Sequence, residues 1–157
     1  MCASPCTVVP FSPAYSAAWR TLNEGWILEA GFALEAKDHL VLNDPEGQVI
    51  AKGGHILLVV DAAAQALGCG SLMPLADGGF EVAKMAVTPT ARGRGLSRLI
   101  LQGLEKTARL QEASRLYIET NSALTPALRL YESFGFAYLP SQNTPYARAD
   151  VFMEKRL

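Results

Sequence analysis

One stretch constrains this chain more than any other. Between Phe80 and Thr120 a strand, a glycine-rich turn, a long amphipathic helix and a second strand follow in direct succession. Residues 80–87 read as a strand in which the two-residue period sets Glu81 and Lys84 on opposite faces. Thr88-Pro89 ends it, and from Arg94 to about residue 111 the apolar Leu96, Leu99, Ile100, Leu104 and Ala108 recur at helical spacing with charges on the other side. Residues 115–120 alternate Leu116 and Ile118 against Tyr117 and Glu119, the pattern of a strand. A strand, crossover helix and strand of this length close with a right-handed connection and parallel strands. The chain is therefore of the α/β class.

The remaining elements surround that unit. Residues 6–11 are β-prone, residues 15–34 place apolar residues at mixed helical spacing, and 43–47 (Asn-Asp-Pro-Glu-Gly) is turn chemistry. Residues 55–61 and 66–72 are apolar runs around a short small-residue connection, as in an antiparallel hairpin. Thr125 is placed to cap a helix whose first turn holds Pro126 and whose left-handed stop is Gly135. Residues 136–139 and 150–154 are the last strand candidates, joined by a polar loop over 141–149. At 157 residues, half of them apolar, one domain spanning residues 1–157 with a sizeable core is expected. A net charge of −1 gives no field to hold a phosphate polymer, so nucleic acid is not an expected partner. No apolar run approaches the roughly 20 residues of a membrane span. Cys2, Cys6 and Cys69 are odd in number and lack metal-ligand spacing, so a reduced cytoplasmic protein without a metal is expected.

The turn Arg92-Gly93-Arg94-Gly95-Leu96-Ser97 lies between strand and helix, where amide hydrogens lack partners and the positive end of the helix dipole points outward. Two glycines let the backbone approach an anion closely, and Arg92, Arg94 and Arg98 add positive charge. A dinucleotide fingerprint would need a third glycine where Arg98 stands, and a P-loop would need Gly-Lys-Ser/Thr; neither matches.

The run from Glu81 to Ser97 resembles the acyl-CoA-binding motif of the GNAT superfamily of N-acetyltransferases, Arg/Gln-x-x-Gly-x-Gly/Ala, with Arg92, Gly95 and Ser97 in the three defined places. Ser97 departs from the usual glycine or alanine. Asn121 and residues 127–136 resemble the later family motif, a helix carrying a tyrosine and ending at Gly-Phe. The resemblance implies a mixed central sheet with splayed parallel strands and flanking helices. It implies acetyl-CoA as cosubstrate, held by backbone of Met85, Ala86 and Val87 at the pantetheine, by Arg92, Gly93, Arg94, Gly95, Leu96 and Ser97 at the pyrophosphate, and by Asn121. It implies transfer of an acetyl group to an amine by direct attack in a ternary complex. Tyr131 matches the family's general acid. Glu81 stands where some members carry a catalytic glutamate, with Glu119 and a water chain as rivals for the base.

A small-molecule primary amine is the expected acceptor, met by the N-terminal helices, where Asn23, Glu24, Trp26, Glu35 and Asp38 gather acids and an aromatic; Glu24, Trp26 and Glu119 are the candidate contacts. A protein or peptide acceptor and a non-catalytic acyl-CoA sensor are the competing readings. The last strand is a candidate dimer edge. His55, at a strand start after two glycines, reads as structural.

Overall fold

The computed structural model describes residues 5–157, so Cys2 lies outside the described residues. Seven strands form one sheet: β1 (Thr7–Pro10), β2 (His55–Val60), β3 (Ala66–Pro74), β4 (Phe80–Val87), β5 (Arg115–Thr120), β6 (Ala137–Leu139) and β7 (Val151–Arg156). Their order is β1-β2-β3-β4-β5-β7-β6. Every neighbouring pair is antiparallel except β4 and β5, the two strands of the crossover unit. The two strands of the crossover unit are parallel, as the sequence implied, and they lie inside the sheet with β3 on one side and β7 on the other.

Among the described residues five α-helices cover the two faces: α1 (Ser16–Glu29), α2 (Ala36–Asn43), α3 (Pro45–Gln48), α4 (Leu96–Leu110) and α5 (Thr125–Ser133). On one face α4 buries Leu96, Ile100, Leu101, Leu104 and Ala108 in a core with Val82, Leu116, Ile118 and Met153. Fully burying each such aliphatic side chain is worth about 1.5–3 kcal/mol, so this stripe holds the helix in place. On the other face Trp19, Val41 and Leu42 from α1 and α2 pack with Ile56, Leu58, Cys69 and Ala86.

The N-terminal helical region differs from expectation. In place of one helix over residues 15–34, α1 ends at Glu29 and α2 starts at Ala36. Gly31 takes the left-handed conformation at φ +85°, and the Phe32 amide donates back to the Ile27 carbonyl at 3.0 Å, which terminates α1. Residues 43–47 are not an open turn: α2 runs to Asn43, and Asp44 caps the single helical turn α3 by accepting from the Gly47 amide at 3.0 Å. Thr125 is not a cap either. It is the first residue of α5, preceded by Leu124 with no side-chain cap. Gly135 does take the left-handed conformation that stops α5, at φ +94°.

Candidate active site

The site begins with an irregularity in β4. Cys69 of β3 pairs with Ala86 and Ser71 with Ala83, so two steps along β3 face three along β4. The extra residue is a β-bulge, with Lys84 at φ +56°. The bulge overturns the assignment of Glu81 and Lys84 to opposite faces. Val82 and Met85 both pack on the α4 side, whereas Ala86 belongs to the core under α1 and α2. Between them the strand switches phase, and Lys84 turns to Asp38 of α2, on the face that carries Glu81. The bulge also frees carbonyls, and both find side chains: Ser71 Oγ donates to the Ala83 carbonyl at 2.8 Å and Cys69 Sγ to that of Lys84 at 3.5 Å. Cys69 is fully buried, which pushes its thiol up to about 12.

Immediately before the bulge β4 and β5 separate. They pair only at Phe80–Leu116, Glu81–Tyr117 and Val82–Ile118. Beyond, residues 83–87 and 119–121 line the two sides of a cavity of about 840 Å³, within the range of small-ligand sites. Met85, Ala86, Val87, Glu81, Glu119, Asn121, Trp26 and Tyr131 all line it, as do Arg92, Gly93, Gly95, Leu96 and Ser97 at its other end. Arg94 and Glu24 do not; a guanidinium nitrogen of Arg94 instead lies 3.4 Å from Cys6 Sγ.

At the turn, Gly93 (φ +77°) and Gly95 (φ +74°) adopt the left-handed conformation, and a Cβ at either would meet nothing within 4 Å. The glycines are therefore required by backbone angle, and the space above them is open. Among the described residues the amides of Gly93, Gly95, Leu96, Ser97 and Arg98 donate to no acceptor; the first amide of α4 to do so is that of Leu99, to the Gly95 carbonyl at 3.1 Å. Such a row of unpaired donors at a helix start suits a diphosphate. Arg92 is tied to Glu29 by a double contact of 2.7 Å and 2.7 Å. Asn121 is also engaged, donating to the Arg148 carbonyl at 2.7 Å and accepting from the Ala123 amide at 2.8 Å.

The two candidate bases differ. Glu119 accepts from Tyr117 Oη at 2.9 Å and from Thr144 Oγ1 at 2.6 Å, one donor on each carboxylate oxygen. The carboxyl of Glu81 receives no hydrogen bond among the described residues, and burial, aided by the nearby charge of Glu119, pushes it up to about 7. Tyr131 is buried, its ring 5.9 Å from that of Phe136, and burial raises its hydroxyl to about 12.

The sequence reading missed a buried ion cluster beside these groups. Asp38 accepts from Lys84 Nζ at 2.7 Å, from both terminal nitrogens of Arg148 at 2.7 Å and from the Glu35 amide at 2.8 Å. Burial alone would raise the Asp38 carboxyl, but those donors outweigh it and hold the group well below the usual carboxylate range. Burial lowers Lys84, against the pull of Asp38. The Arg148 guanidinium lies over the ring of Tyr146 (4.6 Å) and near that of Trp26 (5.7 Å), and Lys84 donates to Tyr146 Oη at 3.1 Å. These contacts fasten the β6–β7 connection across the end of the cavity, where Lys84, Tyr146, Arg148 and Ala149 join its lining. Glu35 and Asp38, grouped from the sequence as pocket acids, thus bind the protein's own arginine.

The similarity to known proteins agrees with this geometry. Residues 12–136 match the model of the acetyltransferase (GNAT) family. The chain is 35% identical over 115 residues to an IAA acetyltransferase of Azospirillum brasilense, covering 70% of this chain and 73% of that one. It is 32% identical over 120 residues to the uncharacterized N-acetyltransferase YjgM of Escherichia coli, covering 71% of each. A GNAT-family acetyltransferase from Staphylococcus aureus superimposes with a TM-score of 0.87 at 18% identity, over 97% of this chain and 99% of that one. The yncA structure from Salmonella typhimurium, solved with its cofactor acetyl-CoA, superimposes at 0.76 with 19% identity, over 96% of this chain and 93% of that one. A strand pair that parts behind a bulge, a donor-lined turn at its mouth and these relatives lead to one conclusion: the chain belongs to the GNAT family of acetyl-CoA-dependent N-acetyltransferases.

Proposed function

We propose that this protein acetylates a primary amine of a small molecule by direct attack in a ternary complex. The observation that carries the proposal is continuity: one cavity runs from the unpaired amides of the glycine turn to Glu81 and Tyr131. The turn amides and Arg92 would hold the pyrophosphate, and the unpaired edge of residues 83–87 the pantetheine. Acetyl-CoA supplies the activated acyl group.

The chain's own residues supply the proton transfers. An amine arrives as an ammonium of pKa near 10 and must lose a proton before it can attack. Glu81, displaced to about 7 and receiving no hydrogen bond, is suited to take it directly or through one water. Glu119 already accepts one hydrogen bond at each oxygen, from Tyr117 and Thr144, so Glu81 is the carboxyl left free to meet the amine. The amine nitrogen then bonds to the carbonyl carbon as the carbon–sulfur bond breaks; the Tyr131 hydroxyl, still protonated at neutral pH, gives its proton to the departing sulfur, and the second proton that the nitrogen sheds on becoming an amide passes through solvent to restore Tyr131. The fastened β6–β7 connection bounds the acceptor end, which supports a small acceptor over a polypeptide lying in an open groove.

The test is thiol release from acetyl-CoA across a broad amine panel, with Glu81→Gln and Tyr131→Phe beside the parent protein. Turnover that falls at least 100-fold in each variant, with coenzyme A still bound, supports the assignment. Turnover unchanged in both refutes it, and tight binding without turnover on any amine would identify a sensor.

A further inference from the structure

We propose that the acceptor is an amino acid with a free carboxylate, bound with its amine toward Glu81 and its carboxylate toward Lys84 and Arg148. The inference rests on the acetyl-transfer reading above and names the acceptor class of that same cavity.

Charge counting within the ion cluster is the first ground. Lys84, Arg148 and Asp38 have side-chain exposures of 5%, 10% and 0%, so one buried and one half-buried cation share one buried carboxylate. Glu35 balances them poorly: it is 25% exposed, reaches Arg148 at 3.3 Å through one oxygen and spends the other on the Ala147 amide. Glu81 also acts on Lys84, but its charge is cancelled once it takes the amine's proton, and the surplus of positive charge that then remains is costly unless an anion answers it.

Placement is the second ground. Both cations line the cavity, whereas Asp38 and Glu35 do not. The surplus therefore meets the space in which an acceptor would lie. Hydrogen-bonding capacity remains as well: an ammonium has three donors and Lys84 uses two, on Asp38 and Tyr146. A guanidinium has five, and Arg148 uses its terminal nitrogens only, leaving Nε–H without an acceptor among the described residues.

The third ground is the bulge. It brings Lys84 onto the face of β4 that carries Glu81, so the cavity presents carboxylates and cations from one stretch of strand. A molecule with one positive and one negative end satisfies both. A polyamine would set a second ammonium against Lys84 and Arg148, and an amino-acid amide would leave the surplus unanswered. Trp26 and Tyr146 offer ring surface for the remainder of an amino acid.

The experiment compares matched triplets: free amino acids, their carboxamides, and the amines obtained by removing the carboxylate. Thiol release is followed with saturating acetyl-CoA and the full-length protein. We expect kcat/KM for the best free acid to exceed that of its amide and its amine at least tenfold. In the presence of coenzyme A, the N-acetyl amino acid should inhibit at least tenfold more tightly than its amide. Lys84→Met, checked for folding by its melting transition, should narrow both gaps; the comparison within the parent protein stands if the variant does not fold. Amides or simple amines reacting as well as free acids, or only polyamines reacting, would overturn this inference and leave the acetyltransferase reading intact. Failure to bind acetyl-CoA, or absence of thiol release with every amine, would bring down both.

Discussion

Replacing Glu81 by glutamine should make the protein both inactive and more stable, with a pH dependence that identifies the cause. The Glu81 carboxyl moves from an ordinary value of 4.5 to about 7 on folding, mainly through burial and secondly through Glu119. Below pH 4.5 the folded and unfolded chains both hold the proton and the group is neutral to stability. Between 4.5 and 7 the unfolded chain loses the proton while the folded one keeps it, so stability falls with rising pH. Above 7 both are ionised and the folded state carries the whole penalty, about 3 kcal/mol at about 1.4 kcal/mol per pH unit. Glu81→Gln should therefore match the parent at pH 4 and exceed it by about 3 kcal/mol at pH 8. For a chain of this size that is a rise in Tm of about 6–12 °C. Urea or thermal unfolding at the two pH values, with kcat/KM from pH 5 to 9, tests it. The parent's kcat/KM should climb with an apparent pKa near 7, and the variant should lose about 10²–10⁴-fold of it. A stability difference of equal size at pH 4 and pH 8 would refute the reasoning, because glutamine would then be acting through packing and not through the lost charge.

Other perturbations separate binding, chemistry and scaffold. Asp38→Ala leaves Lys84 and Arg148 without their shared carboxylate and should cost about 3–5 kcal/mol in urea unfolding. Glu29→Ala frees Arg92 from an exposed, solvent-screened pair, so the melting transition should stay where it is while coenzyme A binds several-fold tighter in calorimetry. Gly95→Ala meets no steric obstacle but must hold φ +74°, so it should destabilise by about 1–2 kcal/mol through backbone angle alone. Tyr131→Phe should lower kcat about 100-fold or more with the Kd for coenzyme A unchanged, since the hydroxyl is assigned to the departing sulfur and not to binding.

The parts legible in the sequence are those written in local chemistry. The period of α4, the glycines of the turn and the stop at Gly135 each state a backbone requirement within a few residues, and each is met. The break between α1 and α2 was equally local: Gly31 supplies the left-handed residue that ends α1, a signal outweighed by the apolar spacing on either side. The ion cluster was not legible, because Arg148 meets Asp38 across 110 residues and neither carries a local sign of the other. Glu35 and Asp38 looked like a lining for a cationic amine; a cation does answer them, but it is the protein's own. Lys84 was visible only as an oddity, a charge in an apolar strand, and strict alternation sent it to the wrong face.

That error locates where the site is encoded. A bulge is a mismatch between two strands, so the sequence of β4 alone cannot declare it; its counterpart lies in Cys69-Gly70-Ser71 of β3. Cys69 and Ser71 cap the two carbonyls that the bulge releases. Gly70, between them, has no side chain because a Cβ there would lie 2.8 Å from Ile100 and 3.0 Å from Leu104, the residues with which α4 presses on the sheet. Three adjacent residues thus hold the bulge open from one side and admit the helix from the other. The bulge bends β4 away from β5, and the helix carries the donor-lined turn to the mouth of the gap so formed. None of the three touches the cavity, yet the phase of Lys84 relative to Glu81 depends on them, and with it the pairing of cation and carboxylate along one strand face.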